Sequence, residues 1–418
     1  MIWPRGRVAW IAAACGSCSL LACGLSITAL GEAQGAAAGE PFTIYSSLPL
    51  QGDSKPQSVD IVRAMRLALR DNGGRVGKHR ITYVSLDDAE AESGRWEPPR
   101  IASNARRAAR DRHTIAYLGE FNSPASTISM PILNRAGLLQ VSPSNTTVGL
   151  TRAEGAEQGE PAKYYPTGRR TYGRVVPADH VQAAAVVFYM KDQGCTSAYI
   201  LNNKELYGRG IANQVERVGN ALGVRILGND GIDAKPADVR AAAARIKAAA
   251  ADCFFFGGFT FPNGPEVFKA VAAASPNIKL FGPDAVAELA FTSVLGTALQ
   301  KRVFITNPTL DIKSYPPRGQ RFFKDFKARY GRYPEPYAIY GYEAMSVVLS
   351  SIRHADRAST SARGRRAVVD AFFAQRGRRS VLGTYDIDDH GDTTLPYYGG
   401  YRPRGGRLFF DKVITITP

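Results

Sequence analysis

The sequence predicts an α/β protein made of two doubly wound parallel-sheet lobes joined by a hinge. Three observations carry that expectation. Short apolar runs alternate with helical spacings from Phe42 to Phe281, the rhythm of βαβ units that build a parallel sheet. The rhythm runs twice, once up to Thr146 and again from Ser197, so the halves are architectural copies. At 418 residues the chain is long for one domain, and two lobes are the better expectation. The lobes are expected as residues 40–174 with 308–375 and residues 175–307 with 376–418, behind a signal peptide and tether at 1–39.

The N-terminus reads as an export signal. Arg5 and Arg7 precede an uncharged run from Val8 to Leu30, a basic region followed by an apolar one. Within it Leu20-Leu21-Ala22-Cys23 resembles a bacterial lipobox, which would make Cys23 the lipidated residue. The alternative is ordinary cleavage near Ala33–Gly35. No later segment is long and apolar enough to span a bilayer.

The first half is organised around Tyr117–Thr146. Phe42–Leu48 reads as a strand, Val59–Arg70 as a helix with apolar Ile61, Val62, Met65 and Leu69, and Arg80–Leu86 as the next strand. A helix at 99–110 follows. Thr114–Leu118 is a buried parallel strand. Ser123 stands at the expected N-cap of a helix, with Pro124 at the first helical position, where its missing N–H costs nothing. Leu138–Val141 is the next strand, and Ser142–Thr146 turns the chain at its carboxyl end. Two neighbouring strands thus present hydroxyl-rich loops on one edge, where open α/β sheets bind small ligands. One loop caps a helix N-terminus, whose N–H groups and dipole favour an anion.

A Gly/Glu/Arg-rich stretch leads to Tyr172. Asp179, with Gln182 three residues on, makes a capping-box start for a helix His180–Gln193. The second series is a strand Ser197–Leu201, a helix to Leu222, a strand near Val224–Leu227, a helix 236–251, a strand Phe254–Phe256, a helix Pro265–Ala274 and a strand Ile278–Phe281. Asp284–Phe291 is expected to be helical. Helices at Gln320–Tyr330, Tyr337–His354 and Gly364–Phe373 precede a strand at Val381–Ile387, a turn at Asp388–Asp392 and antiparallel strands Tyr397–Tyr401 and Leu408–Ile416.

Composition narrows the function. Apolar and charged fractions of 44% and 22% are those of a soluble globular protein. The net charge is +16, or +14 without Arg5 and Arg7. The excess is dispersed arginine, clustered at Arg106-Arg107, Arg169-Arg170 and Arg376–Arg379, without the aromatic interleaving of a nucleic-acid surface. A solvated basic face is expected, and no nucleic acid. Beyond the signal only Cys195 and Cys253 remain, each just before a strand, and they read as a disulfide or as two buried thiols. The scattered histidines match no metal-ligand spacing, and neither metal nor cofactor is expected. No G-x-S-x-G elbow or Walker loop occurs, and Asp386–Asp392 lacks the later Glu of a calcium loop. No catalytic set can be assembled, so the chain is not expected to be an enzyme.

Five motifs occur in order: LGEFNS with SPSNT, LYGRG at Leu206–Gly210, FFFGGF at Phe254–Phe259, LFGPDA at Leu280–Ala285, and YPEPYAIYGYEA at Tyr333–Ala344. In that order and spacing the chain resembles a type I periplasmic binding protein of the leucine/isoleucine/valine-binding group, the solute receptors of ABC importers. The resemblance covers roughly Pro41 to the C-terminus. It implies that Ser123 and Thr146 hold a ligand carboxylate, with main-chain groups of Ser144. It places Tyr207, Phe259 and Tyr337 in the pocket wall and Asp284 opposite the ligand ammonium. It implies a monomer that closes on an amino acid, an amide or an aromatic acid and docks on a membrane permease. Phe259 stands where the amino-acid receptors often have Tyr, and the Gln51–Pro56 loop lacks their Thr-Gly pattern. The alternatives are a sensory receptor of the same fold signalling through a membrane partner and, further off, a secreted α/β enzyme.

Overall fold

The computed structural model describes residues 39–91 and 94–416. The expected signal and Cys23 lie outside them. The first sheet comprises β1 (Gly39–Leu48), β2 (Arg75–Val76), β3 (His79–Asp87), β4 (Thr114–Leu118), β5 (Leu139–Ser142) and β6 (Tyr172–Arg174), in the order β2-β3-β1-β4-β5-β6. All pairings are parallel except that of β2 with β3. The second sheet comprises β7 (Ser197–Asn202), β8 (Arg225–Gly231), β9 (Cys253–Gly257), β10 (Lys279–Gly282) and β11 (Val303–Asn307). After a short ribbon of β12 (Arg378–Arg379) and β13 (Thr384–Tyr385), it takes in β14 (Tyr397–Arg404) and β15 (Arg407–Thr415). Its order is β15-β14-β11-β10-β9-β7-β8, parallel except for the pairings of β14 with β11 and with β15. In each lobe the first strand has later strands on both sides, so strand order reverses beside β1 and beside β7.

Helices cover both faces of each sheet, which is why the strands read as continuous apolar runs. On the first sheet α1 (Lys55–Asp71) packs with α10 (Pro317–Tyr330), α11 (Ala338–His354) and α12 (Ala362–Phe373), while α2 (Pro98–Arg110) and α3 (Ser123–Arg135) cover the other face. On the second, α4 (Asp179–Asp192) and α5 (Leu206–Ala221) lie opposite α6 (Pro236–Ala249) and α7 (Gly264–Ala274). The one-turn helices α8 (Leu289–Thr292) and α9 (Thr297–Gln300) complete the set. Cys195 and Cys253 are joined in a disulfide, their Cα atoms 5.9 Å apart, where the adjacent strands β7 and β9 begin.

Several expectations shift. Asn122, not Ser123, holds the N-cap of α3, and Ala178, not Asp179, that of α4. The Asp179 side chain caps nothing, and Gln182 Nε2 instead donates to Thr306 Oγ1 at 3.2 Å. Asp284–Phe291 is no single helix. A 3₁₀ turn at Asp284–Val286 is followed by extended backbone at Glu288 (φ −124°, ψ 151°), which lets Val286 and Phe291 both reach the second core. Val381, Leu382, Tyr385, Ile387 and Leu395 pack in the core of the first sheet, although the expected boundary at 375/376 assigns them to the second lobe. Buried Glu343 of α11 draws them there, accepting from Arg378 at 2.5 Å and from Tyr385 Oη at 2.7 Å.

Arg174 pins the loop after β5. It is fully buried, with Nε 2.7 Å from Asp392 Oδ1 and Nη1 donating to the carbonyls of Asn145 (3.1 Å) and Thr147 (2.8 Å). Arg152 Nε reaches the other Asp392 oxygen at 2.8 Å. Burial by itself would raise the Asp392 carboxyl, but the two guanidiniums outweigh it and hold it well below the usual carboxylate range. The pair's contribution is therefore present above the unfolded carboxyl's pKa of about 4 and is lost as pH falls through the lower native value. Asp392→Ala strands a buried cation and is expected to cost about 3–5 kcal/mol in urea unfolding at neutral pH. A loss below about 1 kcal/mol would mean that the guanidinium is hydrated.

Candidate ligand-binding cleft

All seven residues expected to face a ligand line one cleft: Ser123, Ser144 and Thr146 with Tyr337 from the first lobe, and Tyr207, Phe259 and Asp284 from the second. Except for Tyr337 they sit in loops, or the first helical turns, that follow β4, β5, β7, β9 and β10. These are the carboxyl ends of the strands beside the two order reversals, where side chains can converge without interrupting a sheet ladder. About 120 Å³ of the cleft admits the centre of a water-sized sphere. A single water needs about 10–15 Å³ by that measure, so the space suits a small molecule.

The first-lobe edge is built of hydroxyls and backbone donors. Ser142 Oγ accepts from the N–H groups of Ser144 (3.1 Å) and Asn145 (2.9 Å), folding the SPSNT loop back on its own strand. Ser144 Oγ and Asn145 Nδ2 both donate to the Phe121 carbonyl at 2.9 Å, locking that loop to the one before α3. With the loops fixed, the N–H groups of Ser123 and Thr146 have no acceptor among the described residues. They stand beside the two hydroxyls at the N-terminus of a thirteen-residue helix, an arrangement that favours a carboxylate.

The opposite edge is acidic and aromatic. Asp284 is 7% exposed and accepts from Tyr207 Oη on Oδ1 at 2.7 Å and from Tyr337 Oη on Oδ2. Because Tyr337 belongs to the first lobe, the second of these bonds crosses the cleft. Burial pushes the Asp284 carboxyl up, and the two phenols partly offset the push. Both phenols are themselves raised well above their ordinary value, by burial and then by the Asp284 charge. The Tyr207 and Phe259 rings lie 5.1 Å apart. Glycines bring them together: a Cβ on Gly208 would sit 2.6 Å from the Gly257 carbonyl, and one on Gly257 would sit 2.3 Å from the Gly208 carbonyl. The LYGRG and FFFGGF motifs therefore touch backbone to backbone.

Further contacts tie the lobes at the rim. Arg95 lies 3.7 Å from Glu205, Arg209 Nε donates to Glu157 Oε1 at 2.7 Å, and Gln214 Nε2 donates to the Gly155 carbonyl at 3.0 Å. The Gly/Glu/Arg-rich stretch thus reaches α5. These half-exposed ion pairs contribute about 0–1 kcal/mol each.

Sequence reasoning missed lining residues. Asp53, Gln57, Arg95, Trp96, Phe121, Glu205, Phe261 and Glu288 also face the cleft. Their signal was positional, since most follow the carboxyl ends of β1, β3, β4, β7, β9 and β10. Asp179 is a different kind of omission. It is fully buried behind Thr146, whose carbonyl accepts its N–H at 2.8 Å, and neither carboxyl oxygen has a hydrogen-bond partner among the described residues. Burial, and then the charge of Asp284, raises it to about 8.

Two doubly wound lobes with their strand ends facing across a polar cleft define a two-lobed solute-binding protein. The periplasmic binding protein family model matches residues 43–398, and the chain belongs to that family, in its type I fold. It is 23% identical over 370 residues to a Leu/Ile/Val-binding protein homolog of Brucella suis biovar 1, covering 88% of this chain and 92% of that one. It is 25% identical over 333 residues to an amino acid binding protein of Pseudomonas aeruginosa, covering 78% and 80%. A leucine binding protein of Thermotoga maritima superposes with a TM-score of 0.75 at 21% identity, covering 90% of this chain and 99% of that one. A Rhodopseudomonas palustris solute binding protein in complex with benzoate gives 0.69 at 19% identity, covering 90% and 97%.

The raised Asp179 carboxyl has a consequence for stability. Above about pH 4 the unfolded chain loses a proton that the folded one keeps, so this residue lowers stability as pH rises toward 8. Asp179→Asn is expected to flatten that fall in urea-unfolding free energies taken at about pH 5 and pH 8. An unchanged slope would place the proton elsewhere.

Proposed function

We propose that this chain is the extracytoplasmic receptor of an ABC importer for an amino acid or a similar small polar metabolite. The observation that supports it most is the convergence of Ser123, Ser144, Thr146, Tyr207, Phe259, Asp284 and Tyr337 on one interlobe cleft. The ligand carboxylate lies on the α3 N-terminus, held by the hydroxyls of Ser123 and Thr146 and the main chain of the Ser144 loop. Its ammonium lies against Asp284, and the three aromatic rings close the walls. Charge-assisted hydrogen bonds in a closed cleft contribute about 1.5–3 kcal/mol each, so three or four outweigh the cost of association.

In this reading the lobes, 39–177 with 308–395 and 178–307 with 396–416, hinge about three crossing segments near residues 177, 308 and 396. The Tyr337–Asp284 bond is one contact of the closed form, the form that docks on the permease. The chain is exported, anchored through lipidated Cys23, and acts as a monomer. Among the described residues no helix is long and apolar enough to cross a membrane. The names of its relatives agree with this reading, and nothing in the cleft assembles a nucleophile with a base.

Calorimetry of the mature protein against amino acids, amides and aromatic acids tests it. Ser123→Ala is expected to weaken a carboxylate ligand by about 1–3 kcal/mol; no loss would reduce Ser123 to a helix-start residue. Asp284→Asn is expected to abolish binding of an amine-bearing ligand while the protein still unfolds cooperatively. Because an ammonium favours ionised Asp284, affinity should also fall as pH drops below that residue's raised value. Affinity that ignores both the substitution and the pH would remove the ammonium from this site.

A further inference from the structure

The charge of the cleft runs against the charge of the molecule. The whole chain carries +16, yet the described lining residues include four acids, Asp53, Glu205, Asp284 and Glu288, against one base, Arg95. Arg95 lies 3.7 Å from Glu205 at the rim. Asp284 is held by two phenols. For Asp53 and Glu288 no cation lies within ion-pair distance among the described residues.

Glu288 is the informative one. It is part-buried, and extended backbone at that position interrupts the helix that its segment would otherwise form. Its charged surroundings are acidic: Asp53 from the loop after β1, Glu335 from the segment before α11, and Asp284 from its own loop, with only the Thr260 hydroxyl opposing them. Burial and those neighbours push it up to about 7. Enclosing a carboxyl among carboxyls is costly unless a cation completes the set. Deeper in, Asp179 is a fully buried carboxyl with no hydrogen-bond partner on either oxygen among the described residues, close enough to Asp284 and Tyr207 for electrostatic influence between them.

The walls fit the same conclusion. Trp96, Phe121, Phe259 and Phe261 line the cleft together with these acids. Aromatic faces attract cations through the negative side of the ring, most strongly where water is excluded. Phe261, 44% exposed, lines the same cleft as Thr260 and Glu288. An aliphatic side chain would leave part-buried Glu288 unpaired, and an acidic one would be repelled by Glu288 and by exposed Asp53. A side chain of three or four methylenes ending in a cation would lie along the rings and meet the carboxylates.

We propose that the cleft selects an α-amino acid whose side chain ends in a positive charge, with Glu288 and Asp53 as the side-chain subsite. The inference rests on the reading of Ser123, Thr146 and Asp284 as the site for the ligand's carboxylate and ammonium. It adds a second cation at the other end of the ligand.

Calorimetry of the mature protein with L-lysine, L-arginine, L-leucine and L-glutamate, each at low and high salt, tests it. Lysine or arginine is expected to bind at least about tenfold more tightly than leucine, with glutamate weakest of the four. Glu288→Gln is expected to cut the lysine-to-leucine ratio by about tenfold or more, and Glu288→Asp to restore part of it. Lysine binding should weaken with salt more than leucine binding does. Leucine binding as tightly as lysine, or a ratio unchanged in Glu288→Gln, overturns the side-chain subsite and leaves the receptor reading in place. If none of the four binds, the amino-acid reading itself falls and the subsite with it.

Discussion

Asp284 is the point on which the two lobes agree. Its carboxylate takes one hydroxyl from Tyr207 of its own lobe and one from Tyr337 of the other. A carboxyl this buried costs free energy unless its oxygens are satisfied. The two phenols do that only while the lobes are together. Separating the lobes would break one of the bonds and rehydrate the acid, and a single residue would then couple lobe position to charge. An ammonium arriving at Asp284 would act on the same balance.

The other edge works through backbone rather than charge. Ser142, Ser144 and Asn145 spend their polar groups on holding two loops in register, and buried Arg174 clamps the carbonyl side of the same loop. The N–H groups left without an acceptor among the described residues belong to Ser123 and Thr146, which line the cleft. Rigid support behind a few free donors would let a small anion bind without first ordering the protein. The two edges are opposite in character, one a set of fixed donors and the other an acid between phenols. A zwitterion laid across the cleft would satisfy both, and Glu288 of the second lobe and exposed Asp53 of the first add further acids to the same cleft.

Much of this was readable in the chain because the relevant signals are local. Apolar runs between helical spacings gave most strands of both sheets, but not the two-residue β2, and the strand expected at Val381–Ile387 shortens to Thr384–Tyr385 in a separate ribbon. Hydroxyl-rich loops directly after two of the strands marked the edge of backbone donors. The paired glycines of Leu206–Gly210 and Phe254–Phe259 were legible as motifs, although their mutual contact was not. Helix starts were misjudged by one residue at Ser123 and Asp179, because an N-cap depends on backbone angles that residue type only biases. The segment Val381–Leu395 was assigned to the second lobe because it lies near β14 in sequence. Its attachment is decided by Glu343 and Arg174, which are 35 and 218 residues away from their partners Arg378 and Asp392.

The sequence by itself determined the class of fold, the strand ends where a ligand would lie, and the residue types offered there, since periodicity, glycine placement and loop hydroxyls act over a few neighbouring positions. Only the tertiary structure decided that Tyr337 meets Asp284 from the opposite lobe, that Asp179 is buried with no hydrogen-bond partner for its carboxyl among the described residues, and that part-buried Glu288 shares the cleft with Asp53 and Asp284. Those facts arise where loops far apart in the chain are brought together, and the desolvation and Coulomb energies that give them meaning depend on distances no local pattern encodes.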